Sequence, residues 1–287
     1  MIKWKGVPLS TYCTAASVLF AAGKGSRMAE HNGNKTLLPL EPGPSPFEGK
    51  RPILLHILEQ LPSGPKAVVI HHRREDVIRA TRHLGLTYCD QPSLNGTGGA
   101  LLAARPFLES VAEDRVIMTM GDVPFVRRTT YRSLLERLDA HPLAVLGFEP
   151  LDRKQYGVLE TEGPVVHRIV EWKYWHGYSK TERDLYRICN AGIYTAHRPT
   201  LLRYLESLEK RPHSVLKDRN GRAQEIEEFF ITDLVELMAA DGLQTGYILA
   251  EDETEVMGID DADALLKAQR LYSKRLFMPD APPSAAP

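Results

Sequence analysis

An apolar segment that runs directly into a glycine-rich, basic turn limits what this chain can fold into more than any other feature. Residues 17–28 read Ser-Val-Leu-Phe-Ala-Ala-Gly-Lys-Gly-Ser-Arg-Met. Glycines let the backbone approach an anion closely, successive N–H groups can point at its oxygen atoms, and basic side chains neutralise its charge. We therefore predict a phosphate-binding turn at Ala21, Ala22, Gly23 and Gly25, with a nucleotide as its ligand.

The spacing of this turn excludes two common nucleotide loops. A Walker loop requires G-x-x-x-x-G-K-[ST], and a dinucleotide fingerprint requires G-x-G-x-x-G. Here Ser-Arg-Met follows Gly23-Lys24-Gly25, so Met28 stands where the third glycine of the fingerprint would fall. A strand followed by Gly-x-Gly is also compatible with a tight connection that binds nothing. The rest of the chain must decide between these readings.

Strand-like and helical patterns alternate along the chain. Strands are predicted at 17–20, 67–70, 115–120, 144–148 and 247–250, helices at 53–60, 75–84, 99–112 and 130–138, and surface loops at 41–50 and 214–223. This alternation predicts an α/β fold with three layers and a Rossmann-like, mostly parallel sheet. Ligands of such sheets bind at the carboxyl ends of strands. The turn after Phe20 and the Gly121-Asp122 turn after Met120 should therefore face one crevice.

Together with Lys35, the glycine-rich turn resembles the signature of the sugar-1-phosphate nucleotidylyltransferases. Other segments match that family in the same order: Gln91-Pro-Ser-Leu-Asn-Gly96-Thr97-Gly98, Tyr156-Gly157, Ile169-Val170-Glu171-Trp-Lys173, Asn190-Ala-Gly192-Ile-Tyr194, Glu228-Phe-Phe-Ile-Thr232-Asp233 and Glu255-Val-Met-Gly258-Ile-Asp260. Within the family, the chain looks most like the uridylyltransferase domain of the bifunctional N-acetylglucosamine-1-phosphate uridylyltransferase.

The resemblance implies a nucleotidyltransferase fold of the GT-A-like type. It places a nucleotide half at about 15–125 and a small sugar-binding lobe within about 126–265, in a domain spanning 15–275. An N-terminal arm would occupy 1–14, and the Pro- and Ala-rich tail 276–287 is predicted to be disordered. No hexapeptide repeats follow the domain, so acetyltransferase activity is not expected.

Such enzymes join a nucleoside monophosphate to a sugar phosphate and release pyrophosphate. Two polyanions must meet, so catalysis should rest on positioning, cationic groups and a hard divalent metal. The resemblance implies Arg27 and Lys35 as the phosphate clamp, and Asp122, on an accessible loop, and Asp260 as ligands of Mg²⁺, which prefers oxygen ligands. Asp122 could instead form a turn. Asp260, where the family domain has asparagine, could instead cap a helix starting near Ala262.

The nucleobase would be read by Gln91, Gly96 and Thr97. An amide can offer both a donor and an acceptor to a pyrimidine edge, and glycine permits close approach of the base. The spacing between Gln91 and Gly96 resembles the uridylyltransferase pattern and favours UTP. Because Gly99 replaces the histidine usual in the family, CTP stays open as an alternative.

The acceptor would be held by Gly157, Glu171 and Asn190, which the resemblance connects with N-acetylglucosamine 1-phosphate. Aromatic residues follow Glu171 at 172, 174 and 175, and the aspartate that the family has after Lys173 is missing. These departures leave a different sugar phosphate, a phosphonate or a polyol phosphate as an alternative acceptor. A nucleotide-sugar-binding protein without turnover is a third reading.

Composition excludes other classes of function. The 287 residues include 36 basic and 37 acidic side chains that are mixed along the sequence, so no affinity for nucleic acid is expected. Three cysteines, at 13, 89 and 189, lack metal-ligand spacing. Neither a signal peptide nor a membrane-spanning run of apolar residues is present, which predicts a cytoplasmic protein. The sequence leaves the oligomeric state open.

Overall fold

The computed structural model describes residues 14–25, 28, 31–219 and 222–277. The strands are β1 Ala16–Phe20, β2 Pro39–Pro42, β3 Gly49–Pro52, β4 Lys66–Ile70, β5 Thr87–Asp90, β6 Arg115–Met120, β7 Leu143–Phe148, β8 Val158–Glu162, β9 Val165–Val170, β10 Cys189–His197, β11 His213–Arg219, β12 Arg222–Glu228 and β13 Thr245–Leu249. The helices are α1 Ile53–Gln60, α2 Arg74–Thr81, α3 Gly96–Ala103, α4 Arg105–Ser110, α5 Arg128–Arg137, α6 Trp172–Trp175, α7 Lys180–Leu185, α8 Arg198–Glu209, α9 Asp233–Ala240 and α10 Ala262–Phe277.

In the described part of the chain, the central sheet has nine strands in the order β5-β4-β1-β6-β10-β7-β13-β9-β8. Strands β9 and β10 run antiparallel to their neighbours, and all the others share one direction. The predicted α/β fold with a mostly parallel sheet is therefore confirmed. Two separate two-stranded ribbons, β2–β3 and β11–β12, lie outside this sheet.

Helices cover both faces of the sheet, because its strands bury alternate side chains on opposite sides. In β1, Leu19 belongs to one core together with side chains of α1, α2, α5 and α10. Its neighbours Val18 and Phe20 belong to a second core with side chains of α3, α4, α8 and α9. Continuous apolar strands between two helical layers give the predicted three-layer arrangement.

Two local expectations were wrong. The helix predicted at 99–112 is divided at Ala104 into α3 and α4, since Pro106 lies in the first turn of α4 and has no N–H to continue a helix. Residues 214–219 and 222–223 of the second predicted loop belong to the antiparallel ribbon of β11 and β12. A ribbon is held by backbone hydrogen bonds and needs no buried face, so Leu216 in β11 is exposed and a polar composition gave no strand signal.

Helix α10 is the last element of the described chain. Helix α10 continues to Phe277, two residues into the segment predicted as a disordered tail. Residues 1–13 and 278–287, and with them Cys13, lie outside the described residues. Burial raises the pKa of the Cys89 thiol to about 11 and that of Cys189 to about 12. Within the described ranges, no helix combines the length and apolar character that crossing a bilayer would require.

Candidate functional site

The ends of β1 and β6 meet at the glycine-rich turn, as the sequence predicted. The Gly121 N–H donates to the Phe20 carbonyl at 3.0 Å, and a Cβ at Gly121 would lie 2.8 Å from that carbonyl. Beside this contact is a cavity of about 450 Å³. Its walls include the predicted nucleotide and phosphate residues Ala21, Ala22, Gly23, Gly25, Lys35, Gln91, Gly96, Thr97 and Asp122. Arg27, the other predicted clamp residue, lies outside the described residues.

Asn34 fixes the position of Lys35. Its buried side chain donates to the carbonyls of Ala21 at 3.2 Å and His72 at 2.8 Å, and it accepts from the Thr36 N–H at 3.0 Å. The asparagine therefore caps the short 3₁₀ helix 35–37 and connects it to the end of β1. These hydrogen bonds hold the lysine beside the glycine-rich turn.

The aliphatic chain of Lys35 packs on Gly25, which has φ +62°. We expect Gly25→Ala to lower kcat/KM by about ten- to a hundredfold, since a new Cβ would lie 3.2 Å from the Lys35 Cβ and push the lysine away. Gly85→Ala is the matched control, because Gly85 has φ +63° and open space around it. Both variants should lose about 1–2 kcal/mol of stability to backbone strain. Equal losses of activity in the two variants would show that the Gly25 contact is irrelevant.

Lys35 joins the two predicted metal ligands. Its Nζ forms ion pairs with Asp122 and, at 3.0 Å, with an oxygen of Asp260. Burial alone would lower the pKa of Lys35, but the charges and hydrogen bonds of both carboxylates raise it to about 12. The side chain is therefore a cation at any physiological pH.

Asp122 differs from its prediction as an accessible loop residue. It is 6% exposed, because its backbone is held between the end of β1 and residues 258–260, where the Ile259 N–H donates to the Asp122 carbonyl at 3.0 Å. Its carboxylate pairs with Lys35. At the start of α10 the Asp261 carboxylate accepts from the Ala264 N–H at 2.8 Å, and the Asp260 carboxylate pairs with Lys35.

The two carboxylates suit a magnesium ion that is shared with a phosphate ligand. Both reach the same atom, Lys35 Nζ, so they converge on one point. Among the described residues no group of three or more His, Cys, Asp or Glu side chains could hold a metal. Mg²⁺ typically takes one or two carboxylates and completes its coordination with phosphate oxygens and water, and the pair Asp122 and Asp260 offers this donor set.

The predicted base-reading loop is held in place by residues that follow β12. Gly98 donates its N–H to the Phe229 carbonyl at 2.8 Å, and the Phe229 N–H donates to Asn95 at 2.8 Å. Gly96, at φ +91°, is so close that a Cβ would lie 2.4 Å from the Phe229 carbonyl. Any side chain at Gly96 would therefore separate the loop from this support.

Gln91 is 4% exposed and uses its amide nitrogen within this loop. It donates to Asn95 Oδ1 at 2.9 Å and to the Gly96 carbonyl at 3.1 Å. Both amide hydrogens are thereby engaged, and the amide oxygen is what it can offer to a base. Gln91 is therefore expected to offer a base a hydrogen-bond acceptor only, and not the donor that the sequence also predicted.

Gly157, Glu171 and Asn190 come together as predicted. The Asn190 N–H donates to the Gly157 carbonyl at 2.8 Å, and a Cβ at Gly157 would lie 3.6 Å from the Glu171 carboxylate. Thr232 donates its hydroxyl to Glu171 at 2.9 Å. Burial raises the pKa of Glu171, and the Thr232 hydroxyl and the Lys173 cation offset this only in part.

Comparison with known proteins identifies the family. Residues 17–220 match the MobA-like NTP transferase domain. The chain belongs to this family of NTP transferases. The bifunctional protein GlmU of Cereibacter sphaeroides is 31% identical over 267 residues, covering 91% of this chain and 53% of that protein. The chain thus spans about half the length of this curated relative.

Two solved structures show the same fold as this NTP transferase. A putative UDP-N-acetylglucosamine pyrophosphorylase from Entamoeba histolytica superposes with a TM-score of 0.65 at 13% identity, covering 88% of this chain and 77% of that one. A putative glucose-1-phosphate thymidylyltransferase from Bacillus anthracis gives a TM-score of 0.63 at 18% identity, covering 90% and 95%. The chain is a nucleotidyltransferase by family, and its fold is that of sugar-phosphate nucleotidyltransferases.

Glu228 also lines the cavity beside the glycine-rich turn, and the sequence did not predict this. Glu228 ends β12 and is 5% exposed, and it lines the cavity although it lies in the segment predicted as the sugar-binding half. From the sequence, the segment Glu228-Phe-Phe is only a match to the family and carries no predicted role. A prediction of the β11–β12 ribbon would have revealed that its end returns to the loop at 95–98.

Proposed function

We propose that this NTP transferase joins UTP to N-acetylglucosamine 1-phosphate and releases pyrophosphate. The observation that carries the proposal is the convergence of Asp122 and Asp260 on Lys35 at a nucleotide-sized cavity that Lys35 and Asp122 line, near the acceptor cluster 157, 171 and 190. The two regions adjoin, because Met120 lines the cavity and its Cγ would lie 3.3 Å from a Cβ at Gly192, two residues after Asn190.

The chain's own groups suit an in-line attack on the α-phosphate. The glycine-rich turn would cradle the triphosphate with its backbone N–H groups, and Lys35 would neutralise charge that develops on the departing pyrophosphate. Asp122 and Asp260 would hold Mg²⁺. When bound, this ion supplies positive charge to the phosphate oxygens and orients them. Glu171 and Asn190 would accept and donate hydrogen bonds that position the acceptor.

UTP as the preferred nucleotide rests on the loop that contains Gln91. The free acceptor at this position is the Gln91 amide oxygen, which can bind the N3–H of uracil. It can equally accept from the exocyclic amine of cytosine, so CTP is the competing nucleotide. Resemblance to uridylyltransferases over the spacing between Gln91 and Gly96 favours UTP.

The test is pyrophosphate release by the purified protein with Mg²⁺, each of the four NTPs and a panel of sugar phosphates and small phosphonates. We expect turnover with UTP and N-acetylglucosamine 1-phosphate to exceed that with every other pair. Preference for a different pair would retain nucleotidyl transfer and overturn the named substrates. Absence of turnover with every pair would overturn the proposal.

A second acceptor class is favoured by the aromatic helix α6. Trp172 and Trp175 both lie in this helix directly after Glu171, and they line a cavity of the acceptor lobe. They would suit an acceptor that is larger than one sugar phosphate.

The acceptor KM should depend on pH through Glu171. Because burial raises the pKa of this carboxyl, its hydrogen-bond-accepting anion is lost at a higher pH than for an ordinary glutamate. We expect the acceptor KM to rise as pH falls through this pKa, and Glu171→Gln to remove that dependence while the pH profile of the NTP KM is kept. An acceptor profile that is unchanged in the variant would contradict the role of Glu171.

The raised pKa of Glu171 also affects the stability of the fold, with a pH dependence opposite to that of acceptor binding. A carboxyl whose pKa is higher in the folded than in the unfolded protein takes up a proton on folding. Its contribution to stability is therefore present at low pH and is lost as pH rises through the folded pKa. Acceptor binding and this part of the unfolding free energy should move in opposite directions with pH.

A further inference from the structure

A second cavity, of about 470 Å³, lies in the acceptor lobe, away from the nucleotide. Its walls come from the loop 151–154, from α6 and from α7 with the turn before it. They carry two tryptophans and a surplus of basic residues: Trp172, Trp175, Arg153, Lys154, His176, Lys180 and Arg183, with the acidic residues Asp152 and Asp184. Nothing in the proposed transfer of a nucleotide to a simple sugar phosphate requires this cavity.

Its cations are largely uncompensated. Within the described part of the chain, the charged groups of Lys154, Lys180 and Arg183 form no ion pair. Arg153 is held by the carbonyls of residues 183 and 186 and is 4.0 Å from Asp184. One guanidinium is thus fixed in the wall, and three further cations can turn toward an anion in the cavity.

The tryptophans give the cavity rigid apolar walls. Trp175 is 5% exposed, and its indole N–H donates to the Tyr156 carbonyl at 2.9 Å. Trp172 stacks on His176 with ring centroids 4.7 Å apart. Arg153 lies 5.6 Å from the centre of the Trp175 ring. Flat apolar faces beside cationic groups fit a sugar ring that carries an anionic substituent.

The cavity adjoins the acceptor cluster. Trp172 follows Glu171 in the chain, and Trp175 is bound to the carbonyl of Tyr156, the residue before Gly157. A ligand in the cavity would therefore lie next to the sugar that Glu171 and Gly157 hold.

We propose that this cavity binds an anionic sugar group, a hexose bearing a phosphate or carboxylate other than the reacting one. The group is the distal part of the acceptor or a separate sugar phosphate, and the same side chains recognise it in both cases. The first source rests on the proposed function, while the cavity's affinity for an anionic sugar does not.

Two measurements distinguish the distal part of the acceptor from a separate sugar phosphate as the ligand of this cavity. The first compares kcat/KM for N-acetylglucosamine 1-phosphate and N-acetylglucosamine 1,6-bisphosphate, which differ by one phosphate. The second is calorimetric binding of N-acetylglucosamine 6-phosphate, which lacks the anomeric phosphate and is no acceptor. The variants are Lys180→Glu/Arg183→Glu and the milder Lys180→Gln/Arg183→Gln. Lys267→Glu/Arg270→Glu is the matched control, since these exposed residues are also three apart, on α10.

We expect the wild-type enzyme to prefer the bisphosphate at least tenfold, and both Lys180/Arg183 variants, checked for folding by their melting temperatures, to lose that preference while the control keeps it. Loss of preference identifies the distal acceptor. An unchanged ratio together with at least tenfold weaker binding of the 6-phosphate identifies a separate ligand. If neither measurement distinguishes the variants from the control, the proposal is wrong. Failure of turnover with all acceptors would overturn the proposed function alone, and calorimetry would still decide on the cavity.

Discussion

Asp122→Asn should reduce kcat by about 10³-fold while leaving the protein folded. The change replaces a carboxylate oxygen by a neutral amide at a position that is buried and that faces Lys35. A divalent ion contributes several kcal/mol to the transition state of phosphoryl chemistry, and each 1.4 kcal/mol corresponds to tenfold in rate. Steady-state pyrophosphate release at several Mg²⁺ concentrations measures the effect, and the variant should require more Mg²⁺ for half-maximal rate.

Asp261→Asn provides the matched control for this substitution. Asp261 lies next to the other proposed metal ligand, but its carboxylate caps α10 by accepting from the Ala264 N–H, and asparagine caps helices about as well as aspartate. We expect less than a threefold change in kcat for this variant. If Asp122→Asn retained more than a third of the wild-type kcat, the metal assignment would be wrong.

Lys35→Met should lower kcat/KM by about 10²- to 10³-fold, the range found when one group that stabilises transition-state charge is removed. Methionine retains most of the chain that packs on Gly25 and removes only the cation. In the free protein the substitution leaves Asp122 and Asp260 near each other without the lysine between them. We therefore expect a lower melting temperature and a larger rise of that temperature on adding Mg²⁺ than in the wild type.

Lys24→Met separates this effect from a general loss of positive charge. Lys24 belongs to the same glycine-rich turn and lines the same cavity, but its side chain is exposed. Its removal should cost less than tenfold in kcat/KM and leave the response of the melting temperature to Mg²⁺ unchanged. Equal losses in the two variants would mean that Lys35 acts only through the overall charge of the cavity.

Those features of the fold that follow from side-chain periodicity could be predicted from the sequence. The five predicted strands correspond to β1, β4, β6, β7 and β13, and their ends differ from the observed ones by at most two residues. Continuous apolar runs of this length are typical of strands buried between two helical layers. The meeting of the turn after Phe20 with Asp122 followed from the rule that ligands bind at the carboxyl ends of parallel strands.

Other features depend on contacts between distant segments, for which local sequence carries no signal. The ribbon β11–β12 is held by backbone pairing, and its polar composition gives no strand pattern from which it could be predicted. The position of Glu228 at the end of this ribbon could therefore not be predicted either. The burial of Asp122 arises from a hydrogen bond with Ile259, 137 residues further along the chain. The anchoring of Lys35 by Asn34 likewise requires Ala21 and His72 to be neighbours in space.

Four consecutive residues after β12 connect the loop at 95–98 with the proposed acceptor cluster. Phe229 and Ile231 bond to the base-reading loop, the former to Gly98 and the latter to the Thr97 hydroxyl at 3.3 Å, and Thr232 donates to Glu171 in the acceptor cluster. Because the segment 229–232 is only four residues long, we expect a displacement of its contacts with the loop at 95–98 to displace its contact with Glu171 as well. Nucleotide and acceptor are therefore expected to bind cooperatively, and by linkage each must raise the affinity of the other by the same factor.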